Sequence, residues 1–282
     1  MDITPELINQ FIVDALAEDV GTGDHTSNAC IPETTVDEAQ LLVKDIGIIA
    51  GVDLAEQIFR SLDPGAEFKV YIPDGSEVKD GDVAFRLKAN ARAILKGERL
   101  ALNAMQRMSG IATLSNRFAT EVEGLNVKIL DTRKTTPLLR FMEKWAVRIG
   151  GCTNYRDGLY DWIMIKDNHI DACGGVEKAI QQVQAYLKEQ KLDLGITVEV
   201  RNLVELHDAM RVGGVTRIML DNFELPLLQE AVHTIDEQFE SEASGGITLQ
   251  NVRKVAETGV DYISVGALTH SAGSLDMSLK IV

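Results

Sequence analysis

The first hundred residues combine helical and strand-like patterns of apolar positions. Behind Pro5, apolar pairs recur every four residues, which predicts an amphipathic helix at the start of the chain. A loop is predicted for residues 21–27, and short β-favouring runs then alternate with Asp-Gly turn signals. The predicted strands cover residues 40–43, 46–50, 68–72 and 83–87, and a long helix covers residues 91–118. Together these patterns predict a small N-terminal α+β sandwich domain.

From residue 124 onwards the pattern changes to strands that alternate with helices. Repeating βα units predict a parallel sheet. The strands are predicted at residues 127–130, 162–165, 196–200, 217–220, 239–243 and 262–265, and helices at residues 138–149, 176–187, 203–211 and 248–258. They are too few for a complete eight-stranded barrel of about 250 residues, so we expect an incomplete, open α/β barrel. The predicted domains are residues 1–102, with residues 270–282 packing back on them, and residues 103–269, which form the barrel.

The composition is typical of a globular protein and excludes several functions. The chain has 43 acidic and 28 basic residues, and a formal charge of −15 disfavours binding to nucleic acids and anionic membranes. Its first twenty residues contain five acids and no Lys or Arg, which is not the composition of a signal or transit peptide. No apolar stretch approaches the ~20 residues of a membrane span. Three scattered cysteines predict neither a disulfide framework nor a thiolate metal site, so a reducing, cytoplasmic location is expected.

Basic residues are clustered despite the net negative charge. Residues 86–107 contain six basic side chains and one acid, and residues 128–166 contain eight basic side chains and four acids. Solvated helix faces would explain any single lysine. The clustering of both segments instead favours a cationic cleft in an anionic protein, and such a cleft would concentrate small polyanionic ligands.

Charged or glycine-rich residues follow the predicted strands of the second half. The carboxyl ends of parallel strands meet at one edge of a sheet, where ligands bind in barrels and in open α/β sheets. We therefore expect these groups to share one active site. They are Asp131-Thr132-Arg133-Lys134, Lys166-Asp167-Asn168-His169, Glu199, Asp221-Asn222, Ser244-Gly245-Gly246 and Gly266-Ala267.

The residue types at these strand ends favour phosphate and carboxylate chemistry. Glycine loops can turn backbone N–H groups towards a phosphate, and the loop at residues 244–246 precedes a helix predicted from residue 248. Four basic residues can converge on carboxylates or phosphates, namely Arg133, Lys134, Arg156 and Lys166. Glu199 and Asp221 either pair with these bases or hold Mg²⁺ together with a pyrophosphate, because Mg²⁺ rarely has a full set of protein ligands. The five histidines show no paired spacing typical of a zinc site.

Longer motifs around these residues resemble those of one family. The motifs are DTRKTTP at residues 131–137, AVRIGG at 146–151, IKDNH at 165–169, EV at 199–200, LDN at 220–222, ASGGI at 243–247 and SVGAL at 264–268. Two more lie nearer the N terminus, EDVGTGDHT at residues 18–26 and ERLALN at residues 98–103. With these motifs in order and consistently spaced from about residue 10 to the end, the chain resembles quinolinate phosphoribosyltransferase, also called nicotinate-nucleotide pyrophosphorylase (carboxylating).

The resemblance implies a reaction and a set of residue roles. Family members convert quinolinate and 5-phosphoribosyl-1-pyrophosphate to nicotinate mononucleotide, pyrophosphate and CO₂, with Mg²⁺. The groups that it implies for the quinolinate carboxylates and the phosphates are Arg99, Thr132, Arg133, Lys134, Tyr155, Arg156 and Lys166. Those that it implies for the 5-phosphate are Ser244, Gly245, Gly246, Val265, Gly266 and Ala267. Glu199 and Asp221 would meet the ribose hydroxyls and the metal and, with Lys134, would be the catalytic groups.

The resemblance also implies a homodimer. In this family the active site lies at a dimer interface, and the residue that matches Arg99 reaches into the partner's barrel. A substrate site shared in this way would need both subunits. We therefore expect the protein to be at least a dimer, with Arg99 acting in trans.

Two positions depart from the family pattern and leave alternatives open. Tyr155 stands where the family usually has His, and Cys152 stands where it usually has Gly. A tyrosine can hydrogen-bond a carboxylate, but it is bulkier than His and is neutral near pH 7. A metabolite-binding or substrate-shifted homologue is therefore one alternative. A lyase with Lys134 or Lys166 as a Schiff-base amine is another, and a pyrophosphorylase-like homologue of molybdenum-transport operons is a third, which the intact IKDNH motif disfavours.

Overall fold

The computed structural model describes residues 2–282, and the chain forms two compact units. The first unit comprises the residues up to Asn116, Thr136–Gly151 and Ser271–Val282. The second comprises Arg117–Thr135 and Cys152–His270. The domain boundary predicted from the sequence between residues 102 and 103 stays a prediction.

The first unit contains helices and short strands, numbered here along the whole chain. Helix α4 begins in this unit, and its C-terminal end belongs to the second unit. The elements are α1 (Pro5–Val20), α2 (His25–Cys30), β1 (Val36–Val43), β2 (Gly47–Ile48), α3 (Val52–Leu62), β3 (Glu67–Val70), β4 (Glu77–Val78), β5 (Val83–Asn90), α4 (Ala91–Glu121), α5 (Arg140–Ile149) and β12 (Met277–Ile281).

The core of the first unit lies between helices and a four-stranded antiparallel sheet with the strand order β12-β1-β5-β3. Alternate residues of the central strands point to one face, so Leu41 of β1 and Phe85 of β5 are both buried there. Helix α3 covers this face with Phe59, whose ring centroid lies 6.4 Å from that of Phe85. The predicted α+β sandwich is confirmed.

Several parts of the first unit differ from the expectation from sequence. Helix α3 was not predicted, and β1 begins at Val36, four residues before its predicted start. Only the first residues of the predicted loop at 21–27 are a loop, because Asp24 ends it as the N-cap of α2. Its carboxylate accepts the N–H of Ser27 at 3.0 Å, which satisfies one of the unpaired donors at the helix start.

A partly buried carboxylate near the start of α3 should make the stability of the protein depend on pH. Asp74 accepts the N–H groups of Val52 and Asp53, at 2.8 and 3.4 Å, and burial, together with the charge of Asp53, raises the pKa of Asp74 to about 6. The folded state therefore binds this proton more tightly than the unfolded chain does. The stabilisation from this group is complete below the unfolded pKa of about 4 and is lost as the pH rises through 6.

The expected result is a free energy of unfolding with a contribution from Asp74 that is about 1 kcal/mol larger at pH 5 than at pH 7.5. Asp74→Asn keeps an acceptor oxygen but cannot ionise, so the variant should lose this part of the pH response. Urea unfolding of both proteins at the two pH values measures the difference. Asp53→Asn, which removes only the neighbouring charge, should reduce the response in part, and equal responses in all three proteins would contradict the assignment.

The second unit consists of strands that alternate with helices. It begins at the end of α4 and contains β6 (Lys128–Leu130), β7 (Ile163–Ile165), α6 (Asp167–Cys173), α7 (Val176–Gln190), β8 (Ile196–Val200), α8 (Leu203–Val212), β9 (Arg217–Asp221), α9 (Leu225–Ile235), β10 (Glu240–Ser244), α10 (Val252–Ala256), β11 (Tyr262–Ser264) and α11 (Ala267–His270).

All six strands of this unit are parallel, in the order β6-β11-β10-β9-β8-β7. Strands β7 to β11 are neighbours in chain order, and β6 closes on β11. Between β6 and β7 the sheet is open, and a single parallel bridge from Leu130 to Thr153 lies at this opening. The predicted incomplete α/β barrel is confirmed. All of its predicted strands are present, with ends that differ by at most one residue.

The helix predicted at residues 248–258 is shorter in the structure, where α10 begins at Val252. The side chain of Asn251 accepts the N–H of Thr248 and donates to the carbonyl of Gly246, at 2.8 and 2.9 Å, and so holds these residues in a turn. In residues 2–282 no helix is both long and apolar enough to cross a bilayer.

Candidate active site

A cavity of about 820 Å³ opens at the carboxyl edge of the parallel sheet. Residues from the ends of all six strands contribute to it, as the alignment of parallel strands predicts. Its lining combines basic, acidic and glycine residues with two methionines. The lining residues are Thr132, Arg133, Lys134, Tyr155, Arg156, Met164, Lys166, Glu199, Met219, Asp221, Asn222, Ser244, Gly245, Gly246, Ile247, Thr248, Ser264, Gly266, Ala267 and His270.

Two arginines on one side of the cavity are close enough to repel each other. Burial and the charge of Arg133 lower the pKa of Arg156, and these effects outweigh the opposite effect of Asp161. Arg156 donates one hydrogen bond to the carbonyl of Trp162 at 3.1 Å. Within residues 2–282, the Nε atom of Arg133 is buried and has no hydrogen-bond partner. A buried N–H without a partner is costly, so this pair favours an anionic ligand that would satisfy it.

Lys134 lies against a glycine at the end of β11. A Cβ atom added at Gly266 would be 2.9 Å from Cδ of Lys134 and 3.1 Å from Nε2 of His270. The carbonyl of Lys134 also accepts a hydrogen bond from Thr269 at 2.8 Å. The absence of a side chain at Gly266 therefore leaves space for the aliphatic part of the Lys134 side chain. It also determines where the ammonium group of Lys134 enters the cavity.

A partly buried acid lies opposite the basic groups. Glu199 is 7% exposed, and its Oε2 atom is 3.5 Å from Nζ of Lys166. Burial raises the pKa of Glu199, Lys166 lowers it by less, and the nearby charge of Asp221 adds to the rise. Asp221 accepts a hydrogen bond from Asn222 at 2.6 Å. The strand ends thus bring together two carboxylates and one ammonium group.

The two carboxylates suit a metal that the protein holds only in part. In the described residues, no group of three or more His, Cys, Asp or Glu side chains could hold a metal ion. Mg²⁺ prefers oxygen ligands and often takes one or two carboxylates with substrate phosphates and water. Glu199 and Asp221 therefore fit Mg²⁺ that arrives with a phosphate ligand, and they do not form a complete protein site.

The glycine loop after β10 has a backbone that other residues rarely adopt. Gly245 and Gly246 have φ angles of 94° and 62°, and a Cβ atom at Gly245 would overlap the side chain of Asn222. Both features require glycine at residue 245. The helix end expected next to this loop is absent, because α10 begins only at Val252. The loop can therefore offer a phosphate its backbone N–H groups, but not the N terminus of an adjoining helix.

Tyr155 occupies a wall of the cavity, where hydrogen bonds hold both its backbone and its hydroxyl. Its backbone N–H donates to the buried carboxylate of Asp131 at 2.8 Å, and its hydroxyl is 2.6 Å from Oγ1 of Thr197. Burial raises the pKa of Tyr155 well above its usual range, so the side chain is neutral. The residue at the family's usual His position is therefore an uncharged, hydrogen-bonded ring.

The structure brings together most, though not all, of the residues that sequence reasoning selected. Arg99 lies on α4 in the first unit, is exposed, and is not in the lining. Val265 is 1% exposed, and its N–H donates to the carbonyl of Leu130 at 2.9 Å, which places the side chain in the core. Four residues of the strand-end motifs, Asp131, Asp167, Asn168 and His169, are also outside the lining. The other predicted site residues line the cavity.

Several lining residues were not selected from the sequence. The main ones are Met164, Met219, Ser264 and His270, with Ile247 and Thr248 in the glycine loop. Met164 and Met219 precede Lys166 and Asp221 by two residues, so alternation along a strand could have found them. His270 belongs to no motif that the sequence analysis selects, and no local signal marks it as a lining residue.

Comparisons with known proteins agree over almost the whole chain. The family model "Quinolinate phosphoribosyl transferase, C-terminal domain" matches residues 111–280, and the N-terminal domain model of the same family matches residues 24–109. Quinolinate phosphoribosyltransferase (decarboxylating) 1b of Nicotiana tabacum is 48% identical over an alignment of 282 positions, which covers 95% of this chain and 80% of the relative. Probable nicotinate-nucleotide pyrophosphorylase (carboxylating) of Bacillus subtilis (strain 168) is 40% identical over 276 residues, which are 98% of this chain and 92% of the relative.

A solved structure has the same fold as the whole chain. The crystal structure of NadC from Streptococcus pyogenes superposes with a TM-score of 0.93 at 37% identity and covers 100% of this chain and 99% of that one. Both family models, the close relatives and this structure agree with the motifs found in the sequence. The chain therefore belongs to the quinolinate phosphoribosyltransferase family.

Proposed function

We propose that the protein transfers the phosphoribosyl group of 5-phosphoribosyl-1-pyrophosphate to quinolinate and releases CO₂. The products are nicotinate mononucleotide and pyrophosphate, so the enzyme is a pentosyltransferase of NAD biosynthesis. The observation that carries the proposal is the pair Arg133 and Arg156. Their two positive charges repel each other, and within residues 2–282 the buried Nε atom of Arg133 has no hydrogen-bond partner. Two carboxylates across the same cavity suit a ribose phosphate better than they suit a Schiff-base reaction.

The cavity offers each substrate a different set of groups. Arg133, Arg156 and Lys166 bind the two quinolinate carboxylates, with the ring against Tyr155, Thr132 and Met164. Lys134 and the glycine loops bind the phosphates of the other substrate. Glu199 and Asp221 accept hydrogen bonds from the ribose hydroxyls. Such fixed placement brings the ring nitrogen and ribose C1 into contact and removes much of the entropic barrier.

The bond changes then follow from the charges of the site. The quinolinate nitrogen forms a bond to ribose C1 while the bond from C1 to pyrophosphate breaks. Positive charge develops on the ribose, and the fixed carboxylates of Glu199 and Asp221 stabilise it. The ammonium group of Lys134 stabilises the negative charge that develops on the departing pyrophosphate. The product ring is a pyridinium, so the adjacent carboxylate leaves as CO₂, its electron pair stays on the ring carbon, and that carbon takes up a proton.

Mg²⁺ is the proposed cofactor. Glu199 and Asp221 would hold it together with the substrate, and when bound it would neutralise charge on the pyrophosphate. Removal of Mg²⁺ by a chelator should therefore abolish product formation, and added Mg²⁺ should restore it.

The product assay tests the proposed function. Purified protein with quinolinate, 5-phosphoribosyl-1-pyrophosphate and Mg²⁺ should form nicotinate mononucleotide, measured by chromatography, and equal amounts of CO₂. Nicotinic acid in place of quinolinate should give little product, because it lacks the second carboxylate for the arginine pair. Absence of product from quinolinate would reject the proposal, and a preference for another acceptor would favour the substrate-shifted alternative.

The active form is proposed to be a homodimer in which Arg99 completes the partner's site. An Arg99→Ala protein and a Lys134→Ala protein should each be inactive. When their subunits are exchanged, a mixed dimer contains one complete site, and random mixing should restore about a quarter of wild-type activity. Native mass spectrometry checks that mixed dimers form. Mixed dimers without activity would show that Arg99 acts within its own chain.

A further inference from the structure

A polar network lies beneath the cavity where a barrel interior is normally apolar. Thr197 of β8 is fully buried. Its Oγ1 atom accepts a hydrogen bond from Nε1 of Trp162 at 2.9 Å and is 2.6 Å from the hydroxyl of Tyr155. A threonine hydroxyl has one proton and two lone pairs, so one group can serve both partners. Thr197 therefore joins the two aromatic side chains.

A buried arginine fixes the same aromatic group from below. Arg217 of β9 is 6% exposed and donates to Glu240 and Glu242, at 2.9 to 3.2 Å. Its Cζ atom lies 5.0 Å from the centroid of the Tyr155 ring and 5.7 Å from that of Trp162. A guanidinium is attracted to an aromatic face, more strongly when both are shielded from water. The positive charge of Arg217 also makes a positively charged side chain unfavourable at residue 155.

These contacts leave Tyr155 no freedom to turn. Asp131 accepts the backbone N–H of Tyr155, and Thr197 and Glu242 hydrogen-bond its hydroxyl. Arg217 and Trp162 contact its ring. Arg156, the next residue, donates to the carbonyl of Trp162. The orientation of the Tyr155 side chain and that of its basic neighbour therefore depend on one small cluster.

We infer that Thr197 is a positioning residue for the quinolinate side of the cavity. The inference rests on the proposed function. The Thr197 hydroxyl holds Tyr155 as a rigid, neutral wall, and the wall sets the position of the acceptor ring relative to Arg156. Thr197 does not line the cavity, so it acts through Tyr155 and does not touch the substrate. The phosphate side of the cavity does not depend on it.

The test compares the two substrates in one variant. Thr197→Val keeps the shape of the side chain and removes the hydroxyl. We expect KM for quinolinate to rise about tenfold, the usual effect of one lost buried hydrogen bond, while KM for 5-phosphoribosyl-1-pyrophosphate changes by less than about twofold. Tyr155→Phe should give a rise at least as large, because it removes the same bond and also the bond between the hydroxyl and Glu242. The effect of the double variant should be smaller than the product of the two single effects, because the bond between residues 155 and 197 is lost in both single variants. Thr197→Ser restores the hydroxyl and should recover most of the affinity.

A matched control separates positioning from general loss of stability. Ser241 is also buried in this sheet, and its hydroxyl donates to Asp261 at 2.7 Å, away from the cavity. Ser241→Ala should lower the melting temperature without a selective change in KM for quinolinate. Equal changes in both KM values of Thr197→Val, or no change in either, would overturn the inference.

A second measurement makes the result independent of turnover. Calorimetric titration with quinolinate should show that Thr197→Val binds it about tenfold more weakly than the wild-type protein does. If the wild-type protein binds quinolinate but forms no product, the proposed function fails and this titration still decides the role of Thr197. If the wild-type protein binds no quinolinate, both fail.

Discussion

Arg133→Ala should lower kcat/KM for quinolinate by roughly 30-fold to several thousandfold, which corresponds to about 2–5 kcal/mol for the loss of one partner from a desolvated charge pair. Arg133 has a buried Nε without a partner and lies close enough to Arg156 to lower the pKa of that group. Because of both features, we expect bound quinolinate to supply the negative charge and the hydrogen-bond acceptors that the two arginines otherwise lack. Steady-state kinetics with each substrate varied in turn measures the loss.

Two other variants give this prediction its control. Arg133→Lys keeps the charge but loses the planar pair of donors, so we expect an intermediate loss. Arg211 is an exposed arginine of the same unit that pairs with Glu177 and Asp208. Arg211→Ala should change kcat/KM by less than about twofold, because exposed ion pairs contribute little. A loss of less than about tenfold in Arg133→Ala would contradict the role given to Arg133.

Glu199→Gln should lower kcat by about a hundredfold or more, as removal of a fixed group that stabilises transition-state charge does in other enzymes. The amide keeps the shape of the side chain but not the negative charge beside the developing ribose cation. Lys166 would also lose the carboxylate that lies 3.5 Å from its ammonium group. Single-turnover kinetics at saturating substrate separates this effect from weaker binding.

The pH dependence of Glu199 provides a second readout. Burial raises the pKa of Glu199, so its active, ionised form is lost at a higher pH than that of an ordinary glutamate. Wild-type kcat/KM should therefore decrease as the pH is lowered. The residual kcat/KM of Glu199→Gln should not show this decrease. The ratio of the two profiles cancels the titration of the substrates. Glu230→Gln, which changes an exposed acid on α9, should keep the wild-type profile.

The strand ends were predictable because the necessary information is local. Glu199 and Asp221 each end an apolar run, and parallel strands place such ends at one edge. The N terminus of α10 was not predictable in the same way, since two hydrogen bonds of Asn251 replace the first helical turn. The capping by Asp24 likewise shortened a predicted loop.

The support beneath the cavity could not be predicted from the sequence. Arg217 begins an apolar strand and had no visible partner, because Glu240 and Glu242 lie more than twenty residues away along the chain. Thr197 is one hydroxyl in a buried strand, and only the fold brings the Tyr155 ring to it. Long-range pairs of this kind leave no periodic pattern. Sequence reasoning therefore found many of the groups that line the cavity and missed those that hold them.

The opening between β6 and β7 has a consequence for how members of this family can diverge. The segment that carries Tyr155 and Arg156 enters the barrel beside this opening, where one bridge from Leu130 to Thr153 replaces a full ladder of strand pairs. Exchange of the side chain at residue 155 leaves every strand pairing of the sheet intact. Under the proposed function, the acceptor side of the cavity could therefore change at residue 155 without any change to the strand ladders that carry Glu199 and Asp221.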